Sequence, residues 1–286
     1  VLLTVKHTTR YTFAGSVTHG LQRLRLKPKT SHGQEVVDWR MELFGAQQQA
    51  GYEDQHYNHV DLVSIEPGTP EVVVTCHGTV RTAQENGVIG AHTGLMPLWC
   101  FLRPTALTKP GLKVRQLLAG IEADRSDTLG FLHTLSGVIA DQVEYVPGTT
   151  DARTTAEQAL AAGKGVCQDH AHIFIAAGRM LDVPMRYVGG YLRMDDRVDQ
   201  EAGHGWAEAH VPGLGWVGFD ISNAICPDER YIRVSTGCDY SEAAPVTGIA
   251  TGAGETRMDV QLSVNESRTA MQQQQSGGSQ QQTQGG

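Results

Sequence analysis

The chain has no Cys-x-x-Cys pair, no apolar run near the length of a membrane span, and no surplus of basic residues. Each absence excludes a class. Without Cys-x-x-Cys there is no zinc knuckle. No run approaches the roughly 20 apolar residues that cross a bilayer. The net charge is -8, from 23 Lys and Arg against 31 Asp and Glu. That balance argues against nucleic acid or an anionic membrane as the main partner. The first residues, Val1 to His7, lack the basic start and long apolar stretch of a signal peptide. Cysteine is sparse. Cys76, Cys100, Cys167, Cys226 and Cys238 form an odd, widely spaced set, which is not a disulfide framework. A reducing cytoplasm is the expected compartment.

What is present suits an ordinary globular protein of about two domains. The first hundred residues read as β. Leu3 to Phe13 is rich in β-branched and aromatic residues, Leu21 to Leu26 alternates in part, Val36 to Phe44 alternates better, and Pro70 to Val80 is a further strand. Short strands without a helical period predict a sandwich or open barrel over residues 1–105. Residues 84–111 hold several Gly and Pro and read as a connector. Helical spacing begins near Leu112 and again from Thr128 to Val143, and a short helix follows at Thr155 to Leu160.

The helix after Cys167 differs in kind. Ala171, Ile173, Phe174, Ile175, Ala176, Ala177, Met180 and Leu181 cover nearly its whole circumference, and a helix apolar all round is a buried one. Asp182-Val183-Pro184 ends it. Met185 to Leu192, Gly205 to Val211 and Gly215 to Asp220 read as strands. Residues 106–266 therefore predict a buried helix against an antiparallel sheet, and the fold class is α+β. Beyond 267 the chain turns to Gln, Ser and Gly and is expected to be a flexible tail.

Cys167 stands where the loop Gly163-Lys164-Gly165-Val166 meets that helix. Unpaired N–H groups and the positive end of the helix dipole there favour a thiolate. His204 and Asp220 follow on two strands joined by the turn Pro212-Gly213-Leu214-Gly215, which brings opposed side chains together. Nucleophile, base and base-orienter thus occur in the order Cys, His, Asp. Cys167 has a polar flank, whereas the other four cysteines read as inert buried thiols. Period two places His204, Trp206, Glu208 and His210 on one strand face, expected to meet the catalytic end of the helix. Trp206 packs the sheet or borders the cleft, and Glu208 reads as a solvated strand residue. His170 and His172, two apart on a helix, diverge and cannot clasp a metal. His56-x-x-His59 lacks a partner at convincing spacing. No metal site and no cofactor are expected.

Together these residues resemble the bacterial transglutaminase-like superfamily of cysteine peptidases. The resemblance is carried by Gly165-Val166-Cys167-Gln168-Asp169-His170-Ala171-His172, Pro184 to Leu192, His204-Gly205-Trp206-Ala207-Glu208 and Pro212 to Asp220. The opening segment, with His7 to Tyr11 and Leu24 to Pro28, resembles that family's β-rich N-terminal domain. The resemblance implies a papain-like core with Cys167 as nucleophile, His204 as general base and acid, and Asp220 as orienter. Three motifs depart from the family pattern. His170 stands for Phe or Tyr, Gly205 for Ala, and Ile221-Ser222-Asn223 for Pro-Thr-Asn. The implied activity is a cysteine-dependent amide hydrolase acting on peptides or amide-bearing small molecules. The Cys167 N–H would serve as one oxyanion donor, and Gln168 is a candidate second. Acyl transfer to an amine, as in transglutaminases, and non-catalytic peptide binding are the alternatives.

Overall fold

The computed structural model describes residues 1–194, 199–200 and 202–267. The expected tail, beyond Ser267, lies outside the described residues. The chain opens with β1 (Leu2–Phe13), β2 (His19–Leu24), β3 (Gln34–Phe44), β4 (Ala46–Glu53), β5 (His59–Ile65), β6 (Glu71–Thr82) and β7 (Val88–Gly90). Next come α1 (Leu112–Ala119), α2 (Thr128–Gln142), β8 (Glu144–Tyr145), α3 (Ala156–Ala162), β9 (Lys164–Gly165), α4 (Cys167–Arg179) and β10 (Met185–Leu192). The chain then runs through β11 (Asp199–Gln200), β12 (His204–Val211), β13 (Gly215–Phe219), β14 (Tyr231–Gly237), α5 (Tyr240–Ala243), β15 (Val246–Thr251) and β16 (Thr256–Glu266).

A β-sandwich forms the first unit. Its sheets are ordered β11-β16-β1-β6-β3 and β15-β2-β5-β4. Period two decides what enters its core. Along β6 every second side chain is buried, and Val72, Val74 and Cys76 pack against Leu24, Val63 and Ile65 of the facing sheet. β4 has no such pattern. Its sequence, AQQQAGYE, is exposed from Gln47 onward, as suits a polar edge strand. A strand without a buried face leaves no alternation to read, so β4 escaped the sequence.

The last two strands return to this unit. β15 pairs with β2 and β16 pairs with β1 over eleven positions. Residues 246–266, grouped by sequence order with the second unit, are grouped by strand pairing with the first. The connector also joins a sheet. Val88 and Gly90 of β7 pair with β13, and a 3₁₀ turn at Leu98–Leu102 sets the Phe101 ring 5.2 Å from that of Trp216.

The second unit is built around α4. From Asp169 to Arg179 every residue of this helix is buried. Val114 and Leu117 of α1 and Leu132, Leu135 and Ile139 of α2 pack with Ile173, Phe174 and Ala177 of α4. Ala207 and Ala209 of β12 belong to the same cluster. Fully burying each large side chain contributes about 1.5–3 kcal/mol. The sheet behind is ordered β14-β10-β12-β13-β7. The body of α4 therefore lies on the Ala207 and Ala209 face of β12. The opposite face carries Trp206, which packs with Val188, Leu192 and Tyr231. The expected orientation of β12 is thus reversed for most of the strand, because the small Ala side chains let a helix approach closely. Only its first residue, His204, reaches the start of α4.

Two side-chain amides of the first unit close the open edge of β14. Gln34 donates to the Arg233 carbonyl (2.8 Å) and accepts from the Arg233 N–H (2.7 Å). Asn58 does the same at Thr236, at 2.7 and 2.8 Å. Each amide supplies the donor and acceptor that a neighbouring strand would offer. Leu3, Val5 and Val80 pack with Tyr191, Ile232 and Val234, so the two units share apolar contacts as well.

Candidate active site

The loop before α4 is fixed by its own backbone chemistry. α3 starts in a capping box, with Thr155 and Gln158 exchanging hydrogen bonds. It stops at Gly163, whose φ of 66° suits glycine. Glu144 and Tyr145 pair in parallel with Lys164 and Gly165. Asp169 Oδ2 then accepts from the Val166 N–H at 2.8 Å and from the Thr150 hydroxyl at 2.6 Å. Cys167 is consequently the first helical residue, where N–H groups lack intrahelical acceptors, and it is half-buried.

His204, the first residue of β12, presents Nε2 to Asp220 and donates to its Oδ2 at 2.6 Å. Its remaining nitrogen is turned away from Asp220, and Cys167 is a charge neighbour of this ring. His204 and Asp220 are thus joined directly, with Cys167 in the electrostatic neighbourhood of the imidazole. Burial disfavours the imidazolium. The Asp220 hydrogen bond and the Cys167 sulfur together outweigh it and raise the His204 pKa to about 10. Asp220 is completely buried. Burial pushes its pKa up, but hydrogen bonds and the His204 charge prevail and hold it at about 2.

The sequence missed most of what holds this pair. Tyr231 donates its hydroxyl to Asp220 Oδ2 at 2.7 Å, and Asn223 Nδ2 donates to the same oxygen at 2.7 Å. Ser222 Oγ donates to Oδ1 at 2.8 Å. The unusual Ser222 and the family-typical Asn223 both serve Asp220, while Ile221 enters the helical core. Trp206 is buried, stacks on His204 with 6.2 Å between ring centroids, and meets Tyr231 edge-on at 5.4 Å. It walls the imidazole from behind.

Gly205 has a steric reason. A Cβ there would lie 2.0 Å from the Tyr187 hydroxyl. That phenol is buried, and its pKa is raised first by burial and then by the Cys167 charge. Tyr240 of α5 also feels the Cys167 charge. Its N–H donates to His172 Nε2 at 3.1 Å. Tyr187 and Tyr240 meet edge-on with 5.9 Å between ring centroids, and neither carries a sequence signal beyond an aromatic in a strand or loop.

Other expectations resolve differently. Gln168 is half-buried on the first turn of α4. His170 is buried, with Nδ1 3.0 Å from the Val166 carbonyl and Nε2 2.8 Å from the Val143 carbonyl. That side chain joins the end of α2 to α4 and is not available as a cleft wall. Glu208 is not solvated. It is completely buried between Arg186 (2.6 Å) and Arg233 (2.7 Å). All five cysteines are unbridged. Burial raises Cys76 and Cys238 each to about 12.

The core family model, described as the transglutaminase-like superfamily, matches residues 115–221. A second, the bacterial transglutaminase-like N-terminal region, matches residues 3–81. The chain belongs to the bacterial transglutaminase-like superfamily. The matched core spans Cys167, His204 and Asp220. Relatives extend over nearly the whole chain. An uncharacterised protein of Mycobacterium leprae is 28% identical, covering 91% of this chain and 97% of its own. One from Mycobacterium tuberculosis is 27% identical, covering 91% of each. Among solved structures, a candidate cysteine protease from Cytophaga hutchinsonii superposes with a TM-score of 0.69 at 19% identity. It covers 93% of this chain and 91% of that one, so the two share this transglutaminase-like fold from sandwich to core. Among the described residues, no helix of this family member is long and apolar enough to cross a membrane.

Proposed function

We propose that the protein is a cysteine-dependent amide hydrolase acting on peptides or amide-bearing small molecules. Cys167 is the nucleophile, His204 the general base and acid, and Asp220 the group that orients the imidazole. The observation that supports this most is the 2.6 Å His204–Asp220 hydrogen bond on the imidazole that borders the Cys167 thiol. A protonated imidazole beside sulfur favours the thiolate. The thiolate adds to the amide carbon, and the resulting oxyanion accepts from the Cys167 N–H at the helix start. The Gln168 side chain is a second donor in this scheme. Collapse breaks the C–N bond, and the amine leaves with the proton from His204. A thioester remains. His204 then takes a proton from water, hydroxide adds to the thioester carbon, and the C–S bond breaks to release the acid. These steps need neither metal nor organic cofactor.

Thiol alkylation read by mass spectrometry, followed by a fluorogenic amide library, tests the scheme. Iodoacetamide labels Cys167 ahead of the other four cysteines. Cys167→Ala abolishes hydrolysis, and His204→Ala slows labelling at neutral pH by about a hundredfold or more. Full activity in Cys167→Ala overturns the proposal. Adding a primary amine to a glutaminyl substrate separates hydrolysis from acyl transfer.

A further inference from the structure

A second cluster of chemically distinct donors lies where the two units meet and shares no residue with the Cys167 group. His56 belongs to the turn between β4 and β5, Cys238 follows β14, and Glu242 lies on α5. An imidazole nitrogen, the Cys238 sulfur and a Glu242 carboxylate oxygen all lie within 4.8 Å of one another. His56 Nε2 already points at Glu242 Oε2, 2.8 Å away. We propose that His56, Cys238 and Glu242 form a binding site for one zinc-like divalent cation that fastens the sandwich to the catalytic unit.

Donor type, rigidity, charge and access each support this. Nitrogen, thiolate and carboxylate together match the borderline preference of zinc. Donor atoms around tetrahedral zinc lie about 3.5 Å apart, so the His56–Glu242 contact opens slightly and the sulfur draws in. The His56 turn is already rigid. Asp54 Oδ1 accepts from the N–H groups of His56 (2.9 Å) and Asn58 (3.0 Å). Arg25 donates to Asp54 Oδ2 at 3.0 Å, and Lys29 donates to the His56 carbonyl at 2.8 Å. The His56 and Glu242 side chains are 2% and 38% exposed. The carboxylate thus offers the way in and leaves room for water as a fourth ligand.

The charges balance. A divalent cation with one thiolate and one carboxylate is neutral, which suits a site beside the buried Arg179 guanidinium, itself bonded to the Cys238 carbonyl at 2.7 Å. A cysteine ligates zinc as the thiolate. Binding removes the Sγ proton, and His56 ligates through Nε2 with its ring proton on Nδ1. About one proton therefore leaves per ion bound. The ion would also hold α5, whose Tyr240 N–H donates to His172 of α4. The sequence hides this site because His56 lies 186 positions from Glu242. The pairing visible in sequence does not form, since His59 Nε2 turns to Asp61 at 3.2 Å.

The test uses the full chain, stripped with a chelator and titrated with zinc or cobalt(II). Calorimetry should give one tight equivalent in the wild type and in Cys167→Ala. The cobalt form should show a thiolate-to-cobalt charge-transfer band. Cys238→Ser, close in volume, should lose the band, and it and His56→Gln should each weaken binding about a hundredfold or more. Retention of the band in Cys238→Ser with its loss in Cys167→Ala would place the ion on the nucleophile and overturn the proposal. Absence of any tight equivalent in the wild type would overturn it as well. Neither result bears on whether Cys167 is a nucleophile.

Discussion

A carboxylate without exposure survives as an anion only when its oxygens are satisfied. Asp220 achieves this with His204, Tyr231, Ser222 and Asn223. Tyr231→Phe removes one donor and little volume. We expect a stability loss of about 1 kcal/mol in urea unfolding and slower alkylation of Cys167, because the His204–Asp220 pair loosens. His204 gives a pH signature. Its folded pKa, about 10, lies above the ordinary 6.5. Its stabilisation is therefore complete below pH 6.5 and disappears as pH rises through about 10. The stability difference between wild type and His204→Gln, followed by urea midpoints from pH 6 to pH 11, should shrink over that window. A constant difference would remove the charged imidazole from the account.

Elements impose constraints that single residues do not reveal. Gly205 pairs with Gly189 across β10 and β12, and its missing Cβ makes room for the Tyr187 hydroxyl. Gly205→Ala should cost about 1–3 kcal/mol and displace the Tyr187 ring. The double variant with Tyr187→Phe should recover part of that loss in thermal melts. No recovery would mean that backbone strain, and not the hydroxyl, excludes alanine. α4 shows what periodicity does and does not tell. Apolar residues around its whole circumference announced a buried helix. Nothing announced that Arg179 would be buried at its end, donating to Phe101 O, Met185 O, Cys238 O and the Thr108 hydroxyl. An arginine in the last turn reads locally as a helix-dipole partner. Its acceptors lie on four separate segments.

For the molecule as a whole, the junction of the units rests on polar groups buried together. Glu208 between Arg186 and Arg233 is held at a pKa of about 2, since the two guanidinium groups outweigh its burial. Glu208→Gln leaves two buried cations short of a counter-charge and should cost about 3–5 kcal/mol, read as a lower urea midpoint. The loss should be largest above pH 4.5 and smaller as pH falls towards 2, where the wild-type carboxylate also takes up its proton. A neutral outcome would show that water or another anion reaches the cluster.

Much of the site and fold was legible because the rules involved act over a few residues. A loop ending at Cys167, apolar spacing through α4, and two strands joined by a four-residue turn placed the thiol, imidazole and carboxylate in order. The family resemblance implied the roles proposed for them. Alternation placed the sandwich strands that have one buried face. What the sequence left open depends on partners distant along the chain. Only tertiary packing sends β15 and β16 back to β2 and β1, presses Gln34 and Asn58 onto the edge of β14, and turns Glu208 from a strand charge into a buried ion cluster. It alone brings His56 to Cys238 and Glu242. Periods, caps and turns are set by local sterics and hydrogen bonding, so sequence determines them. Which surfaces then cover one another is set by shape and charge matching between whole elements.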